Sequence, residues 1–450
     1  MRVACVHIPQ FALQTLTRVD PSLRGAAVAV VGSNEPGRDG GARPALHSPI
    51  VQACSRAAWA LGVRTGMTAA AAHGLAPGQL RVVTAEPKLE RETVRAVADA
   101  LLGVAGNRTH GSAALVDVGG RVGAGAHLAM YCEAPTRTRG TSFGDRVLEV
   151  LDVLGVTARI GIADDRFTAW VAAAHGGAEE RGVISVPRGG SAAYLAPRPL
   201  ALLGITPEVR HMLEALGVAT LGEFAALPAP SVARPLEADY QALARGEGGA
   251  LLRPYAPDAP VREELVELGP VDQVAGTMFD RGTTIERLAE RVALRLAGRG
   301  RGAVRLEVAV TTPTGEHVAQ DRLGEAGHLL ETAEELSAAI AGAVQRATDG
   351  VDSLVERVRV TVIGEAIAGA GEELAAETAP TANDVLGVVL TTTGSPAVWQ
   401  LAPPTGPSGA HPVAASERRE SYRRTRRGKH QRRRTLTGSG RAQPSLFMKS

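Results

Sequence analysis

The sequence contains only three cysteines, and they are far apart. Cys5, Cys54 and Cys132 have neither the close spacing of a zinc site nor the density of a disulfide-rich scaffold. A disulfide framework and redox chemistry are therefore not expected.

The sequence also lacks a long hydrophobic run. Its opening stretch, MRVACVHIPQFAL, is interrupted by His7 and Pro9, and no later run approaches the roughly 18 apolar residues of a membrane-spanning helix. The 44% of hydrophobic residues is enough to build packed cores in about three domains. We expect a soluble, cytoplasmic, multidomain protein with no membrane partner.

A net positive charge is confined to the C-terminal segment. Residues 417–450 carry twelve Lys or Arg and two Glu, so the first 416 residues have a net charge of −8. An acidic body is a poor general surface for nucleic acid, so we expect DNA contacts mainly in the tail. Between residues 418 and 434, ten Lys or Arg accompany the single aromatic residue Tyr422, a composition that suits phosphate neutralisation better than base stacking; a merely solubilising tail is the alternative. The candidate phosphate contacts are Arg418, Arg419, Arg423, Arg424, Arg426, Arg427, Lys429, Arg432, Arg433 and Arg434.

Strands and helices alternate over about the first 187 residues, which predicts an α/β domain. The predicted strands are RVACVHI, AAVAVVG (26–32), SAALVDV (112–118, ended by a Gly119-Gly120 turn), TARIGIA and GVISV. The predicted helices are one from Pro9 to about Arg18, two short Ala-rich helices within 51–76, and helices over 88–104, 144–154 and 166–175.

After the α/β domain, the chain contains two further regions with different patterns and then a linker. Residues 202–227 predict a small helical unit broken at Gly204 and Gly217. Residues 260–365 predict an α+β sandwich of one sheet and two helices, 283–297 and 329–347, because apolar residues recur with helical spacing in the helices and alternate in the strands. The residues predicted to face its core are Ile285, Leu288, Val292, Leu296, Val304, Leu306, Val308, Val310, Val358, Val360 and Val362. Beyond about residue 370, Gly, Pro, Ser and Thr dominate.

Four sequence segments occur in an order that carries a family resemblance. The chain contains in turn VACVHIPQFALQTLTRVDPSLRGAAVAVVG, ALGVRTGM (60–67), SAALVDV and ARIGIADDRFTAWVAA. This order resembles that of Y-family translesion DNA polymerases (UmuC/DinB-like). The resemblance implies a palm with inserted fingers (about 33–76), a helix-hairpin-helix thumb, a little finger, and a linker with a disordered basic tail. The implied bounds are 1–187 for the palm, 188–250 for the thumb, 251–370 for the little finger and 371–450 for the linker and tail.

The residues that would hold metal in such a palm are missing. Two Mg²⁺ ions need several carboxylate oxygens brought together from separate strands. The family's acidic positions align with His7, Pro9, Ser112 and Ala113. Asp117 remains, but one carboxylate cannot hold two dications, and it is interpreted as a strand-end residue. No metal site is expected.

The positions that would hold a nucleoside triphosphate have also changed. The family's finger Tyr and Arg are represented by Arg56 and Trp59, its aromatic steric gate by Ala12, and its palm Lys by the region of Gly177. The charged triphosphate needs such cations, so we expect neither a nucleotide substrate nor a cofactor.

A Y-family body without an active site resembles the ImuB-type proteins of bacterial DNA-damage-induced (SOS) mutagenesis. That resemblance implies a noncatalytic, nucleoid-associated adapter whose partners are DNA, the sliding clamp, an error-prone C-family DNA polymerase and a RecA-like accessory protein. The alternative is an active Y-family polymerase that takes its metal acids from Asp164 or Asp165. Those two acids also suit a helix start, where they favour the helix dipole.

Two folded elements are further candidates for DNA contact. In LLGITPEV, Thr206 occupies the second Gly position of the family's hairpin, which leaves phosphate binding there an open question. On the sheet of residues 260–365, Arg305, Arg357 and Arg359 form a possible backbone-tracking face. The alternative is a set of solvated residues with Glu307 and Glu356 nearby.

The segment QPSLF, residues 443–447, lies outside every predicted folded block. It resembles the bacterial sliding-clamp-binding pentapeptide, in which a Gln, two variable residues, a Leu and a Phe fill a groove on the clamp. We therefore expect clamp contacts from Gln443, Leu446 and Phe447. A fortuitous match is the alternative.

Overall fold

The computed structural model describes one compact unit within Met1–Ala376. The described residues are 2–32, 49–105, 116–122, 127–135, 140–177, 182–228, 235–249, 251–266, 281–322, 329–349 and 355–368. Within these ranges, no helix has the length and apolar character needed to cross a membrane.

The described strands form three sheets. In chain order the strands are β1 (Arg2–Ile8), β2 (Val28–Val31), β3 (Val51–Cys54), β4 (Arg81–Thr84), β5 (Val116–Val122), β6 (His127–Ala134), β7 (Arg159–Ala163), β8 (Val183–Ser185), β9 (Arg262–Val266), β10 (Arg301–Thr312), β11 (Gly315–Arg322) and β12 (Arg357–Ile367). The sheets have the orders β5-β6-β1-β7-β8, β3-β2-β4 and β11-β10-β12-β9.

The described helices pack against these sheets or against one another. They are α1 (Phe11–Val19), α2 (Arg56–Ala60), α3 (Ala69–Leu75), α4 (Pro87–Ala105), α5 (Gly140–Val153), α6 (Arg166–His175), α7 (Ser191–Leu195), α8 (Pro207–Ala215), α9 (Leu221–Ala225), α10 (Pro235–Ala244), α11 (Arg281–Arg299) and α12 (Ala333–Thr348).

The five-stranded sheet is covered on both faces. Side chains alternate along β1, so Ala4 and Val6 share a core with α4 and α5, whereas Val3 and Cys5 pack towards α6. β1 runs antiparallel to both β6 and β7, while β7 and β8 are parallel and joined through α6. This alternation assigns His7, near the end of β1, to the same face as α6.

Strand β5 corrects one prediction. The Gly119-Gly120 pair does not end the strand, because the strand continues to Val122 through a register shift between Asp117 and Gly120. A Cβ on Gly119 would lie 2.5 Å from the ring of Tyr131 on β6, so glycine is needed for this close approach. Residues 112–115 lie outside the described ranges.

The three-stranded sheet carries the two predicted Ala-rich helices, which are confirmed as α2 and α3. The start of α1 differs from the prediction. The helix begins at Phe11, and Gln10 is the N-cap with φ 48°, so Pro9 lies before the cap and outside the first turn. The side-chain Oε1 of Gln10 accepts a hydrogen bond from the Cys54 backbone N–H at 3.1 Å, which joins α1 to β3.

The predicted helical unit, residues 202–227, contains α8 and α9, and it shares a core with the flanking helices α7 and α10. The breaks at Gly204 and Gly217 are confirmed, with φ values of 67° and 83° in the left-handed region that glycine tolerates. Leu200, Leu221 and Phe224 are buried in its shared core.

The four-stranded antiparallel sheet and helices α11 and α12 form the predicted α+β sandwich. The inward positions of β12 are confirmed, but the prediction for Val304 is wrong because 39% of this residue is exposed. A bulge around Val304 and Arg305 shifts the alternation, so Ala303 takes the buried position before Leu306.

Candidate functional site

His7 is the first of the positions at which the sequence resemblance implies a missing metal-binding acid. The residue is only 6% exposed, and its ring centroid lies 5.1 Å from that of His127 on β6. Burial, followed by the nearby positive charges of His127, His175 and Arg159, lowers the pKa of His7 to about 4. Within the described residues its Nδ1 has no hydrogen-bond partner. His7 is therefore neutral at pH 7 and contributes no negative charge to this face of the sheet.

Asp117 is used in packing. Its Oδ2 accepts hydrogen bonds from Arg166 Nη1 at 2.6 Å and from the Arg253 backbone N–H at 3.0 Å. The Arg166 guanidinium also lies 4.2 Å from the ring centre of Tyr131 and donates to the Leu251 carbonyl at 3.0 Å. This carboxylate anchors the segment that enters the four-stranded sheet, and its charge is already paired.

Asp164 and Asp165, the acids of the enzyme alternative, both have structural partners. Asp165 is the N-cap of α6 and accepts from the Thr168 N–H at 2.8 Å, which confirms the helix-start interpretation. Asp164 accepts from the Gly189 N–H at 2.7 Å and lies 3.4 Å from Arg2 Nε.

The positions aligned with nucleotide-binding residues do not form a cationic pocket. Ala12 is buried, Arg56 is exposed at the start of α2, and nothing lies within 4 Å of a Cβ built on Gly177. Trp59 is 56% exposed, and the Arg64 guanidinium lies 3.9 Å from its ring centre.

These residues do not fit a pair of Mg²⁺ ions. The ions prefer clustered carboxylate oxygens, whereas this face offers the imidazole of His7 and the paired carboxylate of Asp117. Ser112 and Ala113, which the resemblance aligns with the family's adjacent pair of acids, have no carboxylate and lie outside the described ranges. In the part of the chain that the structure describes, no group of three or more His, Cys, Asp or Glu side chains is arranged to hold a metal.

Comparison with known families covers this same region. Residues 6–174 match the IMS family model, described as impB/mucB/samB. The match confirms the predicted Y-family polymerase resemblance for this part of the chain, which runs from the last three residues of β1 through β7 and most of α6.

The curated relatives match over a shorter segment. Two proteins named DNA polymerase IV, from Dehalococcoides mccartyi strains BAV1 and CBDB1, are 42% and 40% identical over 77 residues. That segment is 17% of this chain, and the chain spans about a fifth (19%) of the length of these relatives.

Solved structures align over more of the chain at low identity. The crystal structure of DinB from Sulfolobus solfataricus has a TM-score of 0.44 and 14% identity, covering 82% of this chain and 99% of that chain. The insertion ternary complex of Dbh DNA polymerase has a TM-score of 0.44 and 14% identity, covering 80% and 98% of the respective chains.

Thr206 caps the helix in the predicted hairpin. Its hydroxyl accepts from the Val209 backbone N–H at 3.5 Å at the start of α8. One of the N–H groups that would face a phosphate at this helix start is therefore already bonded.

A buried ion network fixes the four-stranded sheet against α4. Asp99 on α4 accepts from Arg295 Nε at 2.9 Å and from Arg299 Nη2 at 2.9 Å. Arg295 Nη1 also donates to Glu263 on β9 at 3.0 Å, and Arg18 on α1 pairs with the same carboxylate. The side chains of Asp99, Glu263 and Arg295 are completely buried.

The network sets the charge of its acid. Burial alone would raise the pKa of Glu263, but the nearby Arg18, Arg295 and Arg291 outweigh it and hold this pKa below its usual value. The two arginine partners of Asp99 lie 196 and 200 positions away from it in the sequence. Local sequence patterns therefore do not reveal these pairs.

Two of the three predicted sheet arginines meet a groove beside α4, here named the α4–sheet groove. Arg357 and Arg359 line it together with Lys88 and Arg91, and its volume is about 370 Å³. Lys88 and Arg91 were not predicted, although their i, i+3 spacing places both on one helical face. Arg305 is exposed and lies outside this lining.

Acids already pair with the sheet arginines. Arg357 Nη1 lies 3.2 Å from Glu264 Oε1, and Arg359 pairs with Glu316. Glu307, one of the two predicted neighbours, instead accepts from Gln320 at 3.0 Å. Lys88 and Arg91 have no ion pair among the described residues and so offer positive charge to the groove, although the acids Glu86, Glu92 and Glu264 also line it.

The remaining predicted contacts lie outside the described residues. These are the ten basic residues between 418 and 434 and the clamp-binding candidates Gln443, Leu446 and Phe447.

Proposed function

We propose that this protein is a noncatalytic, Y-family-polymerase-like adapter in bacterial DNA-damage-induced translesion synthesis and mutagenesis. In this role it brings an error-prone polymerase to DNA and to the sliding clamp. Its proposed layout is a palm with fingers over 1–187, a thumb over 188–250, a little finger over 251–370, and a linker and basic tail over 371–450.

The observation that carries the proposal is the state of His7. A neutral, buried imidazole lies near the end of β1, where the family resemblance implies a carboxylate for metal-dependent phosphoryl transfer. The paired Asp117 and the noncarboxylate residues Ser112 and Ala113 support the same conclusion.

The proposed DNA contacts are electrostatic. The arginine-rich tail supplies most of them, and the α4–sheet groove supplies a smaller set through Lys88 and Arg91. Because Arg357 and Arg359 are already paired with acids, their contribution depends on exchanging these partners for phosphate.

The proposed protein partners follow from the resemblance to ImuB-type proteins and from QPSLF. Gln443 offers an amide for polar contacts on the sliding clamp, while Leu446 and Phe447 enter apolar pockets. An error-prone C-family polymerase and a RecA-like accessory protein complete the assembly. The proposed location is the nucleoid in the cytoplasm.

An active error-prone Y-family DNA polymerase is the second candidate. The name DNA polymerase IV of the matched relatives favours it. Against it, Asp164 and Asp165 both accept hydrogen bonds from backbone N–H groups. These contacts give both acids a structural role and do not favour a role as replacement metal ligands.

Two experiments separate these candidates. A primer-extension assay distinguishes an enzyme from a noncatalytic adapter, and a pull-down with the tail present or removed identifies partners that need residues 416–450. Nucleotide addition intrinsic to the chain would reject the adapter proposal.

A further inference from the structure

A groove of about 750 Å³ shares no lining residue with the α4–sheet groove and is lined by neither His7 nor Asp117. It is bordered by α1, the residues after α5 and the helix α11. Three guanidinium groups line it, those of Arg24, Arg287 and Arg291, together with the carboxylates of Asp152 and Glu290. Both acidic residues are exposed, whereas Arg291 is only 3% exposed.

Arg291 is buried without a carboxylate partner among the described residues. Its Nε donates to the Val153 carbonyl at 3.3 Å, and its Nη1 donates to the Arg18 carbonyl at 3.2 Å. Burial, followed by the positive charge of Arg18, lowers the pKa of Arg291 to about 9, and the negative charge of Glu263, which forms no ion pair with Arg291, opposes this only in part. Neutral carbonyls therefore stabilise this guanidinium less than an anion would.

Gly155 allows two guanidinium groups to approach the same point. With φ at +73°, its missing Cβ would lie 2.8 Å from Arg291 Nη2 and 3.2 Å from Arg24 Nη2. The positive charge of Arg24 is near enough to contribute to the lowered pKa of Arg291, so the two groups repel each other. Arg24 and Arg291 both line the groove and form no ion pair among the described residues, so a compact anion in the groove would offset their charges.

We propose that this groove binds a phosphate group between Arg24 and Arg291, with Arg287 at its edge. A phosphate offers several oxygens to two convergent guanidinium forks, and its charge offsets their repulsion. The phosphate belongs either to a nucleic-acid backbone or to a free phosphate compound. The site stands on these contacts alone and does not depend on the adapter role.

The test is calorimetric titration of the full chain with inorganic phosphate. Wild-type protein should show saturable binding with a Kd of about 1 mM, as expected for a small ligand held by few charged contacts. Arg24→Gln should weaken binding about tenfold, because an exposed residue loses one charge-assisted contact without disturbing the core. Arg287→Gln should weaken it by a smaller factor.

Arg146→Gln is the matched control, since Arg146 is an exposed arginine on α5 outside the groove. It should bind phosphate as wild type does. Absence of saturable binding in the wild type, or equal affinity in the Arg24→Gln and Arg146→Gln variants, would overturn the proposal.

A competition arm then identifies the source of the phosphate. Displacement of inorganic phosphate by a short single-stranded oligodeoxynucleotide from the wild type, reduced in Arg24→Gln, supports the site with a nucleic-acid backbone as ligand. Displacement by pyrophosphate alone supports the site with a free phosphate compound as ligand.

Discussion

Asp99 on α4 and Arg295 on α11 form an ion pair in which neither side chain is exposed, with 2.9 Å between Oδ2 and Nε. Arg299 shares the same carboxylate, and Tyr255 donates to its Oδ1 at 3.2 Å. This single acid therefore connects the five-stranded and four-stranded sheets through α4 and the segment before β9.

Asp99→Ala should destabilise the fold by about 3–5 kcal/mol, because it leaves Arg295 and Arg299 buried with one fewer negative charge. Chemical denaturation measures this loss. Asp258→Ala is the control: Asp258 pairs with Arg95 at 2.9 Å, but its side chain is 64% exposed, so a loss of at most about 1 kcal/mol is expected. Equal losses in the two variants would contradict a special role for the buried acid.

Gly298 allows α11 to cross α4 closely. A Cβ at this position would lie 1.9 Å from the Asp99 carbonyl oxygen, so Gly298→Ala should destabilise the protein by about 1–3 kcal/mol despite alanine's better helix propensity.

At Gly342 on α12, the nearest atom is the flexible Arg346 Nη1 at 3.4 Å. Gly342→Ala should therefore stabilise the protein by about 0.5–1 kcal/mol. Thermal unfolding of both variants checks the opposite signs.

Long periodic segments of the fold could be predicted from the sequence. The prediction for 166–175 matches α6, and 88–104 lies within α4, because apolar residues recur on one helical face over several turns. Strands β3, β4 and β6 were not predicted. β3 and β4 have only four residues each, too few to show a clear period, and β6 is covered on both faces, which removes the alternation of apolar and polar residues. At Val304 a bulge reverses the inward and outward positions, which the simple period cannot anticipate.

The candidate site was predictable where residue type alone decides the chemistry. The absence of an acid at His7 is visible in the sequence, whereas its low pKa depends on the packing of β6 and α6 around it. Arg24 and Arg291 are far apart in the sequence, so no local pattern could predict that both guanidinium groups lie next to Gly155. Lys88 and Arg91 had a local signal, but their groove exists only because the ion network places the four-stranded sheet beside α4.

DNA binding should depend mainly on the tail and should weaken with salt. If about five arginines neutralise phosphates, the slope of log affinity against log salt should be about −3 to −5, depending on strandedness. Deleting residues 416–435 should flatten this slope in a fluorescence-anisotropy titration. Lys88→Gln with Arg91→Gln should change it by about 2 at most. A slope that is unchanged by the deletion but lost in the double variant would move the main DNA site to the α4–sheet groove.

Clamp binding should require Leu446 and Phe447. Each contributes on the order of 1.5–3 kcal/mol when fully buried, so changing both to Ala should abolish measurable binding to the cognate sliding clamp. Ser445→Ala, at a variable position of QPSLF, should retain it. Calorimetric titration distinguishes the variants, and DNA affinity should be the same in all three proteins. Undiminished clamp binding by the double variant would refute the assignment of QPSLF.

The central claim is that this polymerase-like chain does not add nucleotides. Restoring acids by His7→Asp, Ser112→Asp and Ala113→Glu should not create activity, because Ala12, Trp59 and the region of Gly177 would still not hold a triphosphate. The most direct measurement is primer extension by the purified full chain with primer–template, dNTPs and either Mg²⁺ or Mn²⁺. We predict no added nucleotide with either metal. Template-dependent extension that survives repurification would contradict the account.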